Sequence, residues 1–215
     1  MREKQDKIFT PLEIDTLQEI MNIAFGQAAA ELSEIINIMV VLSVPTLKVF
    51  DAYDLHRYIT NEIKDFDSCN IVQQDYIGNS KGIAFLIFSH SSKEELISLF
   101  QPDNHLTYTS DLITETEKEI FTEIGNILIG ACIGKMSELL NDNVQFLPPR
   151  CSIGKAFSSV YKSGAFFNDQ SFAISLKTVF TFEGHPTTGY LFLVNSQESV
   201  SSLKKALEDF WKEYE

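Results

Sequence analysis

Two sets of polar residues recur in this sequence with the same spacing, and their types could carry out chemistry. In each set an acidic residue precedes a Glu and an Asn at helical spacing, and a Pro follows in the next segment. The sets are Asp15, Glu19, Asn22 and Pro45, and then Glu119, Glu123, Asn126 and Pro149. Positions i, i+4 and i+7 share one face of an α-helix. We therefore expect each Glu–Asn pair to project together into solvent from a rigid element.

A carboxamide beside a carboxylate can assist phosphoryl transfer without a metal or a nucleophile of its own. The amide both donates and accepts hydrogen bonds, so it can hold a water molecule. In phosphoryl transfer a protein contributes mainly positioning and charge stabilisation, and an amide can orient the attacking water. The acid can anchor a cationic group through a charge-assisted hydrogen bond. Such a helix would complete an active site that belongs mostly to another protein.

A solvated polar face is the ordinary explanation for one acid and one amide on a helix. Here, however, the pair recurs with identical spacing. Asn is also a mediocre helix former, so Asn22 and Asn126 at matched positions inside helices call for a reason. Repetition and residue type together favour a functional role.

The repetition extends well beyond the polar residues. Residues 114–149 align with residues 10–45 without a gap and share twelve identities. A second stretch, residues 189–196, resembles residues 82–89. Two repeats are too few for a solenoid, so we predict a single pseudo-twofold domain over residues 1–215. Its repeats would cover about residues 8–104 and 112–215.

A long amphipathic helix is predicted to open each repeat. Capping boxes at Thr10–Glu13 and Thr114–Glu117 indicate the two starts. The helices are expected to end near residues 36 and 140. Glycines recur at matched positions inside both helices, where Gly costs about 1 kcal/mol relative to Ala. These glycines, Gly26 and Gly130, predict a close approach of each helix to another helix or to a sheet.

Strand-like runs follow each long helix, and a second helix closes each repeat. Because the strands follow one another without intervening helices, we predict an α+β fold of α-β-β-β-α halves. Its antiparallel sheet would pack against the two long helices. The predicted strands cover residues 46–50, 69–77, 82–88, 152–161, 171–182 and 189–194. The closing helices cover about residues 92–100 and 198–214, and the second is expected to pack on the core.

Other groups of reactive side chains are weaker candidates. Asp51, Asp54 and His56 are close in sequence, but no second ligand group accompanies them, so we expect a solvated loop rather than a metal site. We expect the widely spaced cysteines to be inert reduced thiols. The cysteines are Cys69, Cys132 and Cys151. The histidines His90, His105 and His185 are isolated in the sequence and form no group either.

The chain is acidic, with a formal net charge of −13. Nucleic-acid backbones and anionic membranes both need clustered Lys and Arg, so we expect neither as a partner. The charged N-terminus is followed by no long apolar run, and no stretch of about 18 apolar residues occurs. We therefore expect a cytoplasmic protein.

The repeated acid–Glu–Asn–Pro pattern resembles the signature of the CheC/CheX/FliY family of chemotaxis phosphatases. The first set fits that signature at every position. The second set departs only at its first position, where Glu119 stands in place of Asp or Ser. Two sets in 215 residues resemble the CheC branch. CheX-like members carry one set and dimerise, and FliY-like members carry a further flagellar-switch domain, which we do not expect in these 215 residues.

The resemblance implies a phosphatase that acts on the aspartyl-phosphate of a CheY-type response regulator. Glu19 and Glu123 would contact a lysine of the receiver domain. Asn22 and Asn126 would orient the attacking water. Mg²⁺ would belong to the receiver, so the chain would need no metal or cofactor of its own.

The remaining signature positions would support these pairs. Asp15 and Glu119 would flank the partner-binding surface, and Pro45 and Pro149 would mark the turn from each long helix into the sheet. Glu119 is one methylene longer than Asp, so the second site either holds its partner less well or tolerates the change at a peripheral position.

Two other functions remain open from the sequence. A non-catalytic module would bind response regulators or a CheD-like deamidase and only sequester them, and Glu119 favours this for the second half alone. A structural subunit near the flagellar motor is the third hypothesis. We expect a monomer, because two internal repeats can do alone what a protein with one set does by dimerising.

Overall fold

The computed structural model describes residues 8–51, 54–63, 68–79, 81–89, 92–100, 110–155, 172–185, 188–195 and 198–212. In chain order, the helices and strands are α1 (Pro11–Ile36), β1 (Val40–Leu42), β2 (Thr46–Asp51), α2 (Leu55–Glu62), β3 (Cys69–Ile77), β4 (Gly82–Ser89), α3 (Lys93–Phe100), α4 (Ser110–Leu139), β5 (Gln145–Phe146), β6 (Arg150–Lys155), β7 (Phe172–Phe182), β8 (Thr188–Asn195) and α5 (Glu198–Lys212).

The architecture is α+β, which confirms the predicted fold class. Every pair of neighbouring strands in the 8-stranded sheet is antiparallel. The long helices α1 and α4 pack against each other and against the sheet. The short strands β1 and β5 were not predicted, because two or three residues are too few to show a periodic pattern.

The sheet exchanges strands between the two predicted repeats. Its order is β1-β7-β8-β4-β3-β5, with β2 also paired to β7 and β6 also paired to β3. The order therefore reads alike from either edge about the central β4–β8 pair. Strands that follow α1 complete the edge beside β7, and strands that follow α4 complete the edge beside β3. A duplication predicts this symmetry, and the duplication itself stays a prediction.

Both faces of the sheet bury apolar side chains. On one face, α1 and α4 contribute Leu17, Phe25 and Phe121 to the larger core. On the other face, α2 contributes Tyr58 and Ile59 to a second core. Strand β4 serves both cores because successive side chains of a strand point to opposite faces.

The N-terminus of α1 confirms the first predicted capping box. Glu13 N donates to Thr10 Oγ1 at 3.2 Å, and Thr10 N donates to Glu13 Oε2 at 2.6 Å. The second predicted capping box is wrong, because α4 already begins at Ser110 and residue 114 lies inside it. Glu117 instead forms a buried 2.7 Å ion pair with Lys93 of α3, so its carboxylate ties two helices together.

Matched asparagines end the long helices. Asn37 and Asn141 adopt left-handed backbone conformations with φ of 54° and 50°. Asn tolerates this conformation better than most residues, which makes it a common helix terminator. Both long helices thus end at an asparagine in the left-handed conformation, and the chain then turns towards a short strand.

The prediction that Gly26 and Gly130 mark close contacts is wrong. A Cβ added at either position would meet no atom of the described residues within 4 Å. The close contact is at Gly125, where a Cβ would lie 2.5 Å from Val72 Cγ1 of β3. This glycine lets α4 approach the sheet directly beside Asn126, and it has no counterpart at the matched position, Met21.

Replacing Gly26 or Gly130 with Ala is therefore expected to stabilise the protein. Each substitution removes the entropic cost of glycine inside a helix and meets open space, so the free energy of unfolding should rise by about 1 kcal/mol. Urea denaturation followed by circular dichroism measures the change. Gly125→Ala is the matched control and should lower stability, because its methyl group would collide with Val72. A loss of stability in Gly26→Ala would contradict the assigned open space.

The expected solvated loop around Asp54 and His56 is also partly wrong. Helix α2 begins at Leu55 and places Tyr58 and Ile59 in the second core. Its last residue, Glu62, accepts from Lys48 at 3.0 Å and from Lys177 at 2.6 Å. Burial opposes ionisation of Glu62, but hydrogen bonds from Lys177 and Lys48 outweigh it and lower the pKa. This clamp fixes α2 across β2 and β7.

Residues 115–139 of α4 are long and apolar enough to pass a composition test for a membrane span. Their apolar side chains pack against α1 and the sheet, which accounts for the composition of α4 as a core helix.

Candidate functional site

The first set of predicted residues shares one exposed face of α1. Asp15, Glu19 and Asn22 are all exposed, whereas Leu17 and Ile20 of the same helix are fully buried. The helix is thus amphipathic in the sense that its spacing predicts. Glu19 and Asn22 lie one turn apart, so a single partner can contact both side chains.

The second set has the same arrangement on α4. Glu119, Glu123 and Asn126 are exposed, and Ile120 and Ile124 are buried beneath them. Because α1 and α4 pack side by side on the same face of the sheet, the two exposed pairs belong to one layer of the molecule.

The signature prolines lie where each chain returns from helix to sheet. Pro45 is buried immediately before β2, and Pro149 is half-buried immediately before β6. Gln18 Nε2 of α1 donates to Pro45 O at 3.5 Å. This bond holds the loop before β2 against the helix turn that carries Glu19.

A buried glutamine from the sheet reaches the second site. Gln74 Nε2 donates to Leu147 O at 3.1 Å and to Asn126 Oδ1 at 3.4 Å. We did not identify Gln74 from the sequence. The signal was present in the polar triplet that interrupts the apolar run of β3, namely Gln73, Gln74 and Asp75.

Positively charged groups lie beside the second site. Arg150 Nη2 forms a 2.8 Å ion pair with Asp75 Oδ2, yet its side chain remains 55% exposed. Lys118 pairs at 2.6 Å with Glu115 on the adjoining turn of α4. In the first repeat, the position that matches Arg150 is Thr46, which is uncharged. The first site therefore has no arginine at this position.

Cys151 follows Arg150 in β6 and is half-buried. Burial raises the pKa of its thiol to about 11, although a hydrogen bond with Thr122 and the charge of Lys118 act in the opposite direction. The thiol therefore stays protonated at neutral pH. This state agrees with the inert role expected for the cysteine.

Exposed apolar side chains border both sets. Ile23 and Val44 are 38% and 66% exposed beside the first set, and Phe146 and Leu147 are 39% and 37% exposed beside the second. A polar pair bordered by apolar side chains is typical of a protein-binding surface.

Helix α5 packs against the N-terminal half of α1, which carries the first set. Trp211 Nε1 donates to Thr16 Oγ1 at 2.9 Å, and Lys204 pairs with Glu13 at 3.3 Å. Leu203 and Leu207 are buried, so α5 packs on the core as its amphipathic sequence predicts. Trp211 is the one tryptophan of the chain, and its partner Thr16 lies one turn before Glu19 on α1.

Among the residues that the structure describes, no three His, Cys, Asp or Glu side chains come together as a potential metal site. Of the candidates from the sequence, Asp51 ends β2 and His56 lies within α2. Asp54 precedes α2, and His185 Nδ1 lies 3.0 Å from Glu95 Oε1. His90 and His105 lie outside the described residues.

The fold resembles that of solved chemotaxis and flagellar proteins. FliY from Thermotoga maritima matches with a TM-score of 0.71 and 21% identity, over 94% of this chain and 98% of that one. The FliM middle domain from Vibrio alginolyticus matches with a TM-score of 0.59 and 12% identity, over 88% and 99%. CheX in a CheX–CheY–BeF3–Mg²⁺ complex from Borrelia burgdorferi matches with a TM-score of 0.51 and 15% identity, over 80% and 94%.

A model of the CheC-like family matches residues 12–49, which contain the whole first set. Together with the shared fold, this match supports the CheC/CheX/FliY family that the repeated motif predicts. The more specific assignment to the CheC branch stays a prediction.

Proposed function

We propose that the protein accelerates hydrolysis of the aspartyl-phosphate of a CheY-type response regulator. The observation that carries the proposal is the exposed Glu–Asn pair. Each of the two long helices presents one such pair on its exposed face, with the same spacing. The family assignment agrees with a role in chemotaxis. The related CheX structure contains CheY with beryllium fluoride and Mg²⁺, so a receiver domain is the partner that we infer.

In the proposed reaction each pair completes the receiver's active site. Glu19 or Glu123 accepts a hydrogen bond from a receiver lysine, which fixes the docked helix by a charge-assisted contact. Asn22 or Asn126 then holds a water molecule in line with the phosphoryl group. The apolar side chains beside each pair exclude solvent around the contact.

The hydrolysis itself needs no covalent intermediate on this chain. The water oxygen forms a bond to phosphorus while the bond from phosphorus to the aspartyl oxygen breaks. The receiver recovers its carboxylate, and the water protons leave with inorganic phosphate and solvent. Mg²⁺ would be held by the receiver, and the amide contributes orientation of the water.

A direct assay tests the proposal. The chain is added in small amounts to a phosphorylated CheY-type receiver with Mg²⁺, and phosphate release is followed against the receiver alone. We expect multiple turnovers per chain. Binding to the receiver with beryllium fluoride and Mg²⁺, but no faster phosphate release, would instead support a non-catalytic module that sequesters response regulators.

A structural role at the flagellar motor is the second candidate function. The FliM middle domain matches with a higher TM-score than CheX does, 0.59 against 0.51, and one FliM match comes from a FliG–FliM complex. Co-sedimentation with flagellar switch proteins without receiver binding would support this candidate. The repeated Glu–Asn pair favours the phosphatase, because a structural subunit has no need for it.

We further propose that the protein acts as a cytoplasmic monomer. The relatives named above are chemotaxis and flagellar proteins, which agrees with a place inside the cell. Two pairs on one chain provide internally what a one-set protein obtains by pairing with a copy. Binding of a CheD-like deamidase remains a proposal that a pull-down with the purified deamidase would test.

A further inference from the structure

Gln74 lies under the second Glu–Asn pair and contacts it from the sheet. Its side chain is only 4% exposed, and it projects from β3 towards α4. Its Nε2 group carries two hydrogens and has two acceptors in reach, Leu147 O at 3.1 Å and Asn126 Oδ1 at 3.4 Å. One amide group therefore connects the sheet, the loop before Pro149 and the side chain of Asn126.

These contacts define the orientation of both amides. A backbone carbonyl can only accept hydrogen bonds, so Leu147 O requires the nitrogen of Gln74 on its side. The second hydrogen of the same nitrogen needs an acceptor, so the carboxamide of Asn126 turns its oxygen towards Gln74. Asn126 consequently keeps Oδ1 towards Gln74 and turns Nδ2 away, while Oδ1 retains one free lone pair. The longer second bond biases this orientation without locking it.

The remaining atom of the Gln74 amide indicates that stability alone does not explain the residue. Oε1 is buried and has no hydrogen-bond donor among the described residues. A buried acceptor without a donor destabilises a fold. An apolar side chain of the same shape would remove this defect, so the polar group at position 74 points to a role outside folding.

The first site lacks this contact. Across the sheet, the position that corresponds to Gln74 is Thr178, since Gln74 pairs with Ala84 and Thr178 pairs with the matching residue Leu191. Thr178 Oγ1 donates to Ser43 O at 2.7 Å. Ser43 matches Leu147 between the repeats, so the loop bond is present at both sites.

The bond to the catalytic amide differs between the sites. A threonine side chain is too short to reach past the loop carbonyl to the helix. Among the described residues, none forms a hydrogen bond with the Asn22 carboxamide. Thus the loops of both sites are anchored to the sheet, but within the described part of the chain only the second site also anchors its asparagine.

We propose that Gln74 is a positioning residue that pre-orients the Asn126 carboxamide for its role in hydrolysis. The inference rests on the proposed phosphatase function. It makes the second site the better organised of the two for chemistry, although its Glu119 departs from the family signature. An amide that is already oriented needs less ordering when the receiver docks, so the benefit appears in the rate of the bound complex.

Gln74→Met tests the proposal, because methionine has a similar length and shape but no donor. In an Asn22→Ala background only the second site is active. There Gln74→Met should lower the rate of phosphate release at saturating receiver about threefold to tenfold, which is the effect expected from losing the modest hydrogen bond to Asn126. The receiver concentration that gives half the maximal rate should stay unchanged. The melting temperature should shift little, because the lost donor and the removed orphan acceptor offset each other.

Two controls separate positioning from a general structural effect. In an Asn126→Ala background, Gln74→Met should leave the remaining first-site rate unchanged, and a fall there would overturn the proposal. Thr178→Val in the same background removes only the loop bond of the first site. If Thr178→Val lowers the rate as much as Gln74→Met does at the second site, anchoring of the loop explains the effect and the proposal is wrong.

A spectroscopic measurement decides the inference independently of the phosphatase activity. We expect the side-chain amide of Asn126 to show a higher ¹⁵N heteronuclear Overhauser effect than that of Asn22 in the same sample. Gln74→Met should reduce the Asn126 value to that of Asn22. Equal values in the unmodified protein would overturn the proposal, even if the chain is an active phosphatase. Lack of phosphatase activity with unequal values would reject the proposed function and retain the positioning contact.

Discussion

Replacing Asn22 and Asn126 together with Ala is expected to slow phosphate release by about 100-fold, close to the rate of the receiver alone. Removal of one pre-organised hydrogen-bonding group from an active site commonly has an effect of about this size. Both asparagines are exposed on packed helices, so the substitutions leave the core intact. The measurement is phosphate release from the phosphorylated receiver with the variant at equal concentration.

The loss should fall on catalysis rather than on docking. Glu19 and Glu123 remain in the double variant, and so do the apolar side chains beside them, so binding of the receiver with beryllium fluoride and Mg²⁺ should change little. Asn61→Ala is the matched control, because Asn61 is an exposed asparagine on α2, away from both sites. Full acceleration by the double variant would show that neither asparagine orients the water.

The second large effect is expected at Phe121, which lies fully buried beneath the second site. Its ring packs edge to face against Phe88 of β4 with a centroid distance of 5.6 Å. Phe121→Ala should lower the free energy of unfolding by about 3–5 kcal/mol, because it removes a large apolar side chain and leaves a cavity. This is a large part of the roughly 5–15 kcal/mol of a typical domain.

Urea denaturation monitored by circular dichroism measures this loss, and Phe121→Leu is the control that keeps most of the volume. That control should lose less than about 1.5 kcal/mol. We also expect a single unfolding transition in both variants, because β3 and β7 each pair with strands from the other repeat. Two separate transitions would contradict the prediction of one domain made of two repeats.

The exchanged edge strands also bear on how the two sites relate. Neither predicted repeat contains a complete sheet of its own, since β1 and β2 complete the edge beside β7 and β5 and β6 complete the edge beside β3. The loop before Pro149 is accordingly held by Gln74 of the first repeat. Each site is therefore built from residues of both halves. The repeats are thus parts of one structure rather than two independent modules.

The sequence alone determined features that depend on neighbours within a few positions. The exposed faces with Glu19 and Asn22 and with Glu123 and Asn126 follow from the 3.6-residue period of a helix. The capping box at Thr10 likewise needs only a residue three positions away. The α+β class followed from the order of helical and strand-like runs, and each of these signals is local.

Only the tertiary structure decided features that depend on residues distant in sequence. The ion pair of Glu117 depends on Lys93 of another helix, and α4 begins before the predicted capping box. The close approach at Gly125 depends on the position of Val72 in the sheet. The prediction from Gly26 and Gly130 was wrong because helix packing depends on such distant neighbours and not on the repeated glycines. Gln74 and Asn126 are 52 positions apart, and only packing of α4 on β3 brings their amides together. The inequality of the two sites therefore arises from side-chain reach across the sheet, which local sequence patterns do not encode.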